Sequence, residues 1–503
     1  MKKILSLVLV LSMLLSVMAA SIAVADKAND TLVVIPYTTS TNFDLFSMSQ
    51  AADKTATHAI FDGLWQYGED GTPIAALVES WEDSEDGRSI ACKLREGVTF
   101  SDGTPVDADA IIWNYNTAIA SDYLSTVVGP VISAIEKVDD YNIVIYKAAP
   151  YASVKELCCE YMLIVSPTAY EADPVAFQTN PVGSGPYTIT KTDEVSGYLY
   201  LTAREDYWAG APAIKNVEIR VPLDSSVALV ALENNEAQLF APIISADDLE
   251  IAESEGYPVY RDTGWSCKTV MFYGEPYTKD VNLCRAIFYA INRENAAIYN
   301  GDYNVEVSTA PYAKKLAGDY YGAVEYPGYD PEKAKEYLAQ SDYSGETLEI
   351  NATQDVVNIC VSIQNDLQAI GISCTVNQID TNTLTQKLMD GSIGIWVCDM
   401  GVAYASVEEM LGYFANGGFY VQLGLTVSTE AEDAALQAAA NAWVKEERMP
   451  YIVTALEEFI NNPSSLTLYE TNMAFAASPE LVGVKNIWAA TYNYHLNELS
   501  WAE

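Results

Sequence analysis

Histidine is nearly missing from this chain: His58 and His495 are the two in 503 residues. Imidazole acid/base chemistry and histidine-based metal centres are disfavoured on that count alone. Basic residues are scarce as well, 27 Lys and Arg against 69 Asp and Glu, for a net charge of -42. Such a surface has little with which to neutralise a phosphate backbone, so neither a nucleic-acid partner nor docking on an anionic membrane is expected. No cysteine precedes Cys92, which leaves no site for an N-terminal lipid anchor. The eight cysteines (Cys92, Cys158, Cys159, Cys267, Cys284, Cys360, Cys374 and Cys398) include no C-x-x-C pair, which argues against zinc. The motifs G-x-S-x-G, H-E-x-x-H, G-x-G-x-x-G and the Walker loop do not occur. With acids this abundant, no carboxylate pair stands out as a glycosidase dyad. There is no positive sign of an enzyme, and neither a cofactor nor a metal is expected.

Half of the residues are apolar and 19% are charged, enough for a large core, and the length suggests about three structural units. Lys2 and Lys3, the apolar stretch Ile4 to Met18 and the small-residue pattern Ala23-Val24-Ala25 read as a secretory signal peptide over residues 1–25. The remainder holds no further apolar run of about 18 residues, the length that crosses a bilayer. The expected product is exported and soluble, in a periplasm or outside the cell. Export permits disulfides, although sequence alone does not pair them. Cys284 and Cys360 sit on apolar helix faces and read as buried thiols.

Along the chain, Thr31–Ile35, Asn142–Tyr146, Tyr187–Lys191, Leu199–Ala203 and Val217–Val221 read as strands. Asp102-Gly103-Thr104-Pro105 reads as a turn leading into a helix, with Thr104 as N-cap and Pro105 at the first helical position. That helix places Ala108, Ile111, Ile112, Tyr115 and Ile119 on one face. Val182 to Pro186 (VGSGP) reads as a tight turn where backbone approaches backbone, since Pro186 has no N–H to offer a phosphate.

A second organisation begins near Trp265. Val281, Cys284, Ile287, Phe288 and Ile291 form a helical stripe, and Asp330-Pro331-Glu332 starts another helix. Strand Leu348–Ala352, helix Val356–Ile370, strand Ile372–Ile379, helix Thr381–Met389 and strand Ile393–Val397 give a β-α-β-α-β order, the mark of a parallel sheet. A long helical tract runs from Glu430 to Phe459, Pro463 breaks it, and Leu466–Tyr469 reads as a short strand returning to the first lobe. The fold class is α/β, with two lobes and a cleft between them that closes by hinge motion.

The stretch Ile60 to Ala118 contains Pro73 to Trp81 (PIAALVESW) and Leu94 to Pro105 (LREGVTFSDGTP). It resembles the signature region of the extracellular solute-binding proteins that serve peptide- and nickel-type ABC transporters. NPVGSGPYTIT from Asn180, AREDYWAGAPAIKNVEIR from Ala203, KDVNLCRAIFYAINREN from Lys279, YDPEKAKEYLA from Tyr329 and LQAIGI from Leu367 agree in order. The resemblance implies a periplasmic-binding-protein-like two-lobe fold with an extra subdomain in lobe I, and no enzymatic activity. The implied division is 26–55 with 181–264 and 466–503 as the lobe I core, 56–180 as the extra subdomain and 265–465 as lobe II. The implied partners are a small solute or peptide, captured by a monomer, and the transmembrane subunits of an ABC permease.

By the same resemblance, ligand contacts are expected from Tyr37, Asn42, Tyr123, Glu160, Tyr161, Trp265, Asp399, Met400 and Tyr404. Hinges are expected near Trp265 and Leu466. Peptide-binding members carry an aspartate for the peptide amino group where this chain has Ala403, and often a tryptophan where it has Met400. Asp399 lies nearby as a substitute. Leu157 to Tyr161 lacks the arginine that such members lend to a ligand carboxylate, and Glu160 in its place favours a cationic or hydroxyl-rich ligand. Cys158-Cys159 reads either as a strained vicinal disulfide or as two packed thiols. An oligopeptide importer component is the leading reading. The alternatives are an oligosaccharide, metal-chelate or organic-cation binder on the same fold, or a sensor or adhesion module without transport.

Overall fold

The computed structural model describes residues 30–36, 39–47, 54–69, 72–150, 153–193, 195–221, 225–240, 246–301, 305–400, 406–485 and 495–502. The expected signal segment, Tyr37, Ala403 and Tyr404 lie outside the described residues. Among the described residues, no helix is long and apolar enough to cross a membrane.

The first lobe is built around β1 (Thr31–Ile35), whose apolar run TLVVI is buried from Leu32 to Ile35. A strand buried on both faces has no need of alternation, which is why it reads as a continuous apolar run. The chain then enters the extra subdomain. The short pair β2 (Trp65–Tyr67) and β3 (Pro73–Ala75) leads to a four-stranded antiparallel sheet. Its strands are β4 (Val78–Asp83), β5 (Ser89–Leu94), β6 (Ile132–Asp139) and β7 (Asn142–Lys147), in the order β4-β5-β7-β6. β5 alternates buried and outward residues, one face on the core and one in water.

The helix Ala108–Ala120 covers this sheet, but it starts later than its sequence suggests. The Thr104 amide and hydroxyl both donate to Asp102 Oδ1, at 2.9 and 2.5 Å, so Thr104 is committed to the turn. Asp107 caps the helix instead, accepting the Ala110 amide at 3.0 Å. The buried face also differs. Ala108, Ile111 and Tyr115 are buried as expected, whereas Ile119 is exposed. Asn114 takes its share of the interface. Its amide donates to the Val165 carbonyl at 3.0 Å and accepts the Val165 amide at 3.1 Å. A buried polar group with both functions satisfied orients a helix as firmly as an apolar one.

The chain returns through β8 (Tyr187–Asp193), β9 (Tyr198–Ala203) and β10 (Asn216–Ile219), an antiparallel run that places β10 parallel to β1. The motif stretches meet here and serve packing. Gly183 and Gly185 pass against Ile60, where a Cβ on Gly183 would stand 2.1 Å from the Ile60 oxygen and one on Gly185 2.5 Å from its carbonyl carbon. The Gly185 amide donates to that oxygen at 2.9 Å. Buried Arg204 donates to the carbonyls of Thr99, Gly183 and Gly185, and Asp62 accepts from Tyr207 and Trp208 at 3.0 and 2.9 Å.

After β11 (Leu239–Phe240), the 15-residue strand β12 (Val259–Tyr273) leaves the first lobe for the second. There β13 (Leu348–Ala352), β14 (Cys374–Gln378) and β15 (Gly394–Met400) form the expected parallel set, linked by helices Val357–Ala369 and Thr381–Met389. The stripe on helix Val281–Ala290 is buried at Cys284, Ile287 and Phe288 but exposed at Val281. The tract from Glu430 is two helices, Glu430–Ala439 and Lys445–Asn461, packed as a hairpin. The first opens on a cap in which the Thr429 hydroxyl accepts the Glu432 amide at 3.0 Å.

The return strand β16 runs over Ser465–Ala477, far beyond the short strand expected. All strands of both lobes except those of the subdomain and two short pairs join one ten-stranded sheet, β14-β13-β15-β12-β16-β11-β1-β10-β9-β8.

Gly185→Ala is expected to lower the unfolding free energy by about 3 kcal/mol, because the backbones of two segments must separate to admit the methyl group. Urea denaturation followed by circular dichroism measures it, with the exposed Gly328→Ala as the control at an open position without a positive φ.

Candidate ligand-binding cleft

The two crossing strands join the lobes beside the candidate site. β12 and β16 pair antiparallel from Val259↔Ala476 to Met271↔Ser465, with register shifts between Thr263 and Cys267 and between Lys268 and Thr269. Such irregularities add twist and bend at the point where the chain passes between lobes. Trp265 lies on β12 within the first of them, and its side chain is outside the described residues.

β15 runs beside β12 with Asp399 opposite Lys268. Lys268 Nζ stands 2.8 Å from Asp399 Oδ2, and the Asp399 side chain keeps 48% of its surface exposed. The carboxylate is therefore held by one cation and still offers an open face. Met400 points the other way and is buried in the second lobe's hydrophobic cluster with Met271, Val407 and Met410. Asn42, in the turn after β1, accepts the Asp44 amide on Oδ1 at 3.0 Å, which spends part of its side chain on the turn itself.

The subdomain wall is carried by helix Val154–Glu160. Glu160, at its end, is buried, and Lys54 Nζ reaches its carboxylate at 2.5 Å and its carbonyl oxygen at 3.0 Å. The acid expected to attract a cation thus receives one from within the protein. Lys54 also stands 5.0 Å from the centre of the Tyr161 ring. Burial, then the Lys54 cation, press the His58 pKa down to about 4, so its imidazole is neutral at physiological pH. Its Nε2 lies 3.0 Å from the Cys159 oxygen. Cys158 and Cys159 are two buried free thiols, not a disulfide.

The opposite wall is the helix Val407–Phe414, capped by Ser406, which accepts the Glu409 amide at 3.1 Å. Val407, Glu408, Met410, Leu411 and Phe414 are buried, which leaves Glu409 and Tyr413, one helical turn apart, on the other face. Burial raises the Tyr161 hydroxyl well above its ordinary range, and Glu160, Tyr123, Glu409 and Tyr413 push the same way. Burial, then Glu409, Tyr420 and Tyr123, do likewise for Tyr413. Tyr161 of the subdomain is thus within electrostatic reach of Glu409 and Tyr413 of the second lobe, and Tyr413 of Tyr123. Glu408 anchors that helix from behind, accepting from the Tyr320 hydroxyl at 2.7 Å and from Arg448 Nε at 3.3 Å.

Tyr123, Glu160 and Tyr161 come together, whereas Asp399 stands on the second lobe's sheet beside the crossing strands. Sequence reasoning missed Glu409 and Tyr413, because a serine cap followed by outward positions at i and i+4 reads like any solvated helix face. It also missed Glu470 on β16, which pairs with Cys267 and is buried. Burial pushes its carboxyl up to about 7, against hydrogen bonds from the Cys267 thiol and the Lys314 amide. Burial raises the pKa of each of the eight thiols, which keeps them as packing groups. Among the described residues, no group of three His, Cys, Asp or Glu is placed to hold a metal. Aromatic hydroxyls and carboxylates on facing walls are equipment for holding a polar ligand.

Two outcomes are expected. Glu160→Gln leaves the Lys54 ammonium buried without its anion and costs about 3–5 kcal/mol of stability, measurable by urea denaturation. For Glu470, the folded carboxyl holds its proton more tightly than the unfolded one, so its contribution to stability is present below about pH 4.5 and is lost as pH rises through about 7. Glu470→Gln should therefore gain stability relative to the parent chain between pH 5 and pH 8.

The family model described as bacterial extracellular solute-binding proteins, family 5 Middle, matches residues 72–420. The chain is similar to the di/tripeptide-binding protein 2 of Pseudomonas aeruginosa (strain UCBPP-PA14), 25% identical over 500 residues that cover 88% of this chain and 92% of that protein. It is also similar to the nickel-binding periplasmic protein of Escherichia coli (strain K12), 24% identical over 371 residues, 68% of this chain and 70% of that one. Among solved structures, the ABC transporter substrate-binding protein CtaP from Listeria monocytogenes superposes with a TM-score of 0.81 at 20% identity, covering 94% of this chain and 99% of that one.

Proposed function

Because this chain belongs to the family 5 bacterial extracellular solute-binding proteins, we propose that it captures an oligopeptide between two hinged lobes and delivers it to an ABC permease. The family consists of binding proteins, and the proposal includes no catalysis. The peptide reading is supported by the electrostatic proximity of Tyr161 in the subdomain to Glu409 and Tyr413 in the second lobe, and of Tyr413 to Tyr123. Tyrosine supplies apolar area with a hydroxyl at its tip, which suits a backbone of amides with varied side chains. The similarity to a di/tripeptide-binding protein supports the same reading.

In this proposal Asp399 receives the ligand's amino group in place of the carboxylate missing at Ala403. Tyr37, Asn42, Trp265 and Tyr404 complete the lining. Lobe I comprises 26–55, 181–264 and 466–503, the subdomain 56–180 and lobe II 265–465. The protein works as an exported monomer, freed from its leader at Ala25.

One observation favours a second reading, a non-peptide solute. The wall segment Leu157 to Tyr161 has no arginine, and the two lysines beside it are engaged, Lys54 with Glu160 and Lys155 with Asp83, which disfavours a ligand carboxylate there. The similarity to a nickel-binding protein points the same way.

Native mass spectrometry of the purified protein, followed by denaturing extraction of any molecule carried along, separates the two. A mixture of short peptides is the expected result. A single sugar, chelate or organic cation overturns the peptide assignment and leaves the family intact.

A further inference from the structure

A contact at the rim joins the subdomain to the second lobe, far along the chain from the crossing strands. The turn between β4 and β5 is braced. Asp86 Oδ1 accepts the Ser84 hydroxyl at 2.8 Å and the Arg88 amide at 3.1 Å, the Ser84 amide donates to the Ser89 carbonyl at 2.9 Å, and Gly87 holds a φ of +70°. This tip presents Arg88, whose guanidinium carbon lies 4.3 Å from the ring centre of Trp443. The backbones are close as well, since a Cβ on Gly87 would stand 3.2 Å from the Trp443 oxygen.

Trp443 occupies the connection between helices Glu430–Ala439 and Lys445–Asn461. Buried Arg448 secures it, donating to the carbonyls of Ala442 and Trp443 at 3.1 and 3.5 Å. The same guanidinium pairs with Glu408 at 3.3 Å, on the helix whose outer face carries Glu409 and Tyr413. The Trp443 connection and the lobe II wall are thereby one plate.

We propose that Arg88 and Trp443 form a clasp that favours the closed arrangement of the lobes, with Arg448 as the residue that positions Trp443 on the same plate as the cleft wall. The clasp lies on the rim, where it adds to closure without choosing the ligand. It rests on the two-lobe closure proposed above but not on the identity of the solute. An exposed cation–π contact changes a two-state ratio about two- to fivefold, enough to tune closure while leaving the lobes free to open.

The test attaches a bimane fluorophore to Glu85→Cys, on the exposed tip. Tryptophan quenches bimane on contact, so the quenched fraction reports closure with no ligand added. The chain's own thiols are buried or half-buried, which directs the label to residue 85. Arg88→Ala is expected to lower the ratio of quenched to unquenched label about two- to fivefold. Arg88→Lys should fall by less, and Trp443→Phe should abolish the quenching. A quenched fraction unchanged by Arg88→Ala overturns the clasp, as does a label indifferent to Trp443→Phe. Thermal melts verify that each variant is folded. Because no solute enters the assay, failure of the peptide assignment leaves this result standing.

Discussion

The ladder between β12 and β16 carries the chain from one lobe to the other, and the remainder of the molecule is arranged around it. Its outer end, at Val259↔Ala476, adjoins β11 and the first lobe, while its inner end, at Met271↔Ser465, adjoins β15 and the second. A backbone ladder of this length keeps the lobes attached through main-chain hydrogen bonds, whose strength is indifferent to side chains. The register shifts near Trp265 and Lys268 interrupt it where the chain passes between lobes. A ladder interrupted at two points resists separation of its ends while allowing a bend between them.

The scarcity of cations shapes what surrounds those crossing strands. With 27 basic residues against 69 acids, several lysines and arginines are spent inside the protein. Lys54 holds Glu160, Arg448 holds Glu408, and Arg220 holds Glu218 at 2.8 Å. Each of these anions is buried and needs its partner, since an uncompensated buried charge is costly. The candidate site acids Asp399 and Glu409 are by contrast partly open to solvent. Cations thus neutralise buried acids of the frame, while the candidate site acids keep solvent exposure.

Much of the fold was legible because its signals are local. The unbroken apolar run of β1, the β-α-β-α-β order from Leu348 and the Asp330 cap are decided within a few residues. The family motifs were legible too, and so was their structural role at Gly183 and Gly185. Less visible were features in which a polar side chain substitutes for an apolar one. Asn114 turned its helix toward the Val165 backbone, and Thr104 served the Asp102 turn in place of the cap. The candidate wall residues Glu409 and Tyr413 went unnoticed because an outward i, i+4 pair on an amphipathic helix looks like any solvated face.

From the residues alone come the α/β class, the family and the structural part played by the glycine and Asp-Gly motifs, because periodicity, turn chemistry and motif spacing are properties of neighbouring residues. Which acids are open and which are neutralised was decided only in three dimensions. Glu160 meets Lys54 across 106 positions, Asp399 meets Lys268 across 131, and Arg88 of the subdomain meets Trp443 of the second lobe. The sign of a charge is written in the sequence, but its field depends on burial and on partners brought close by folding.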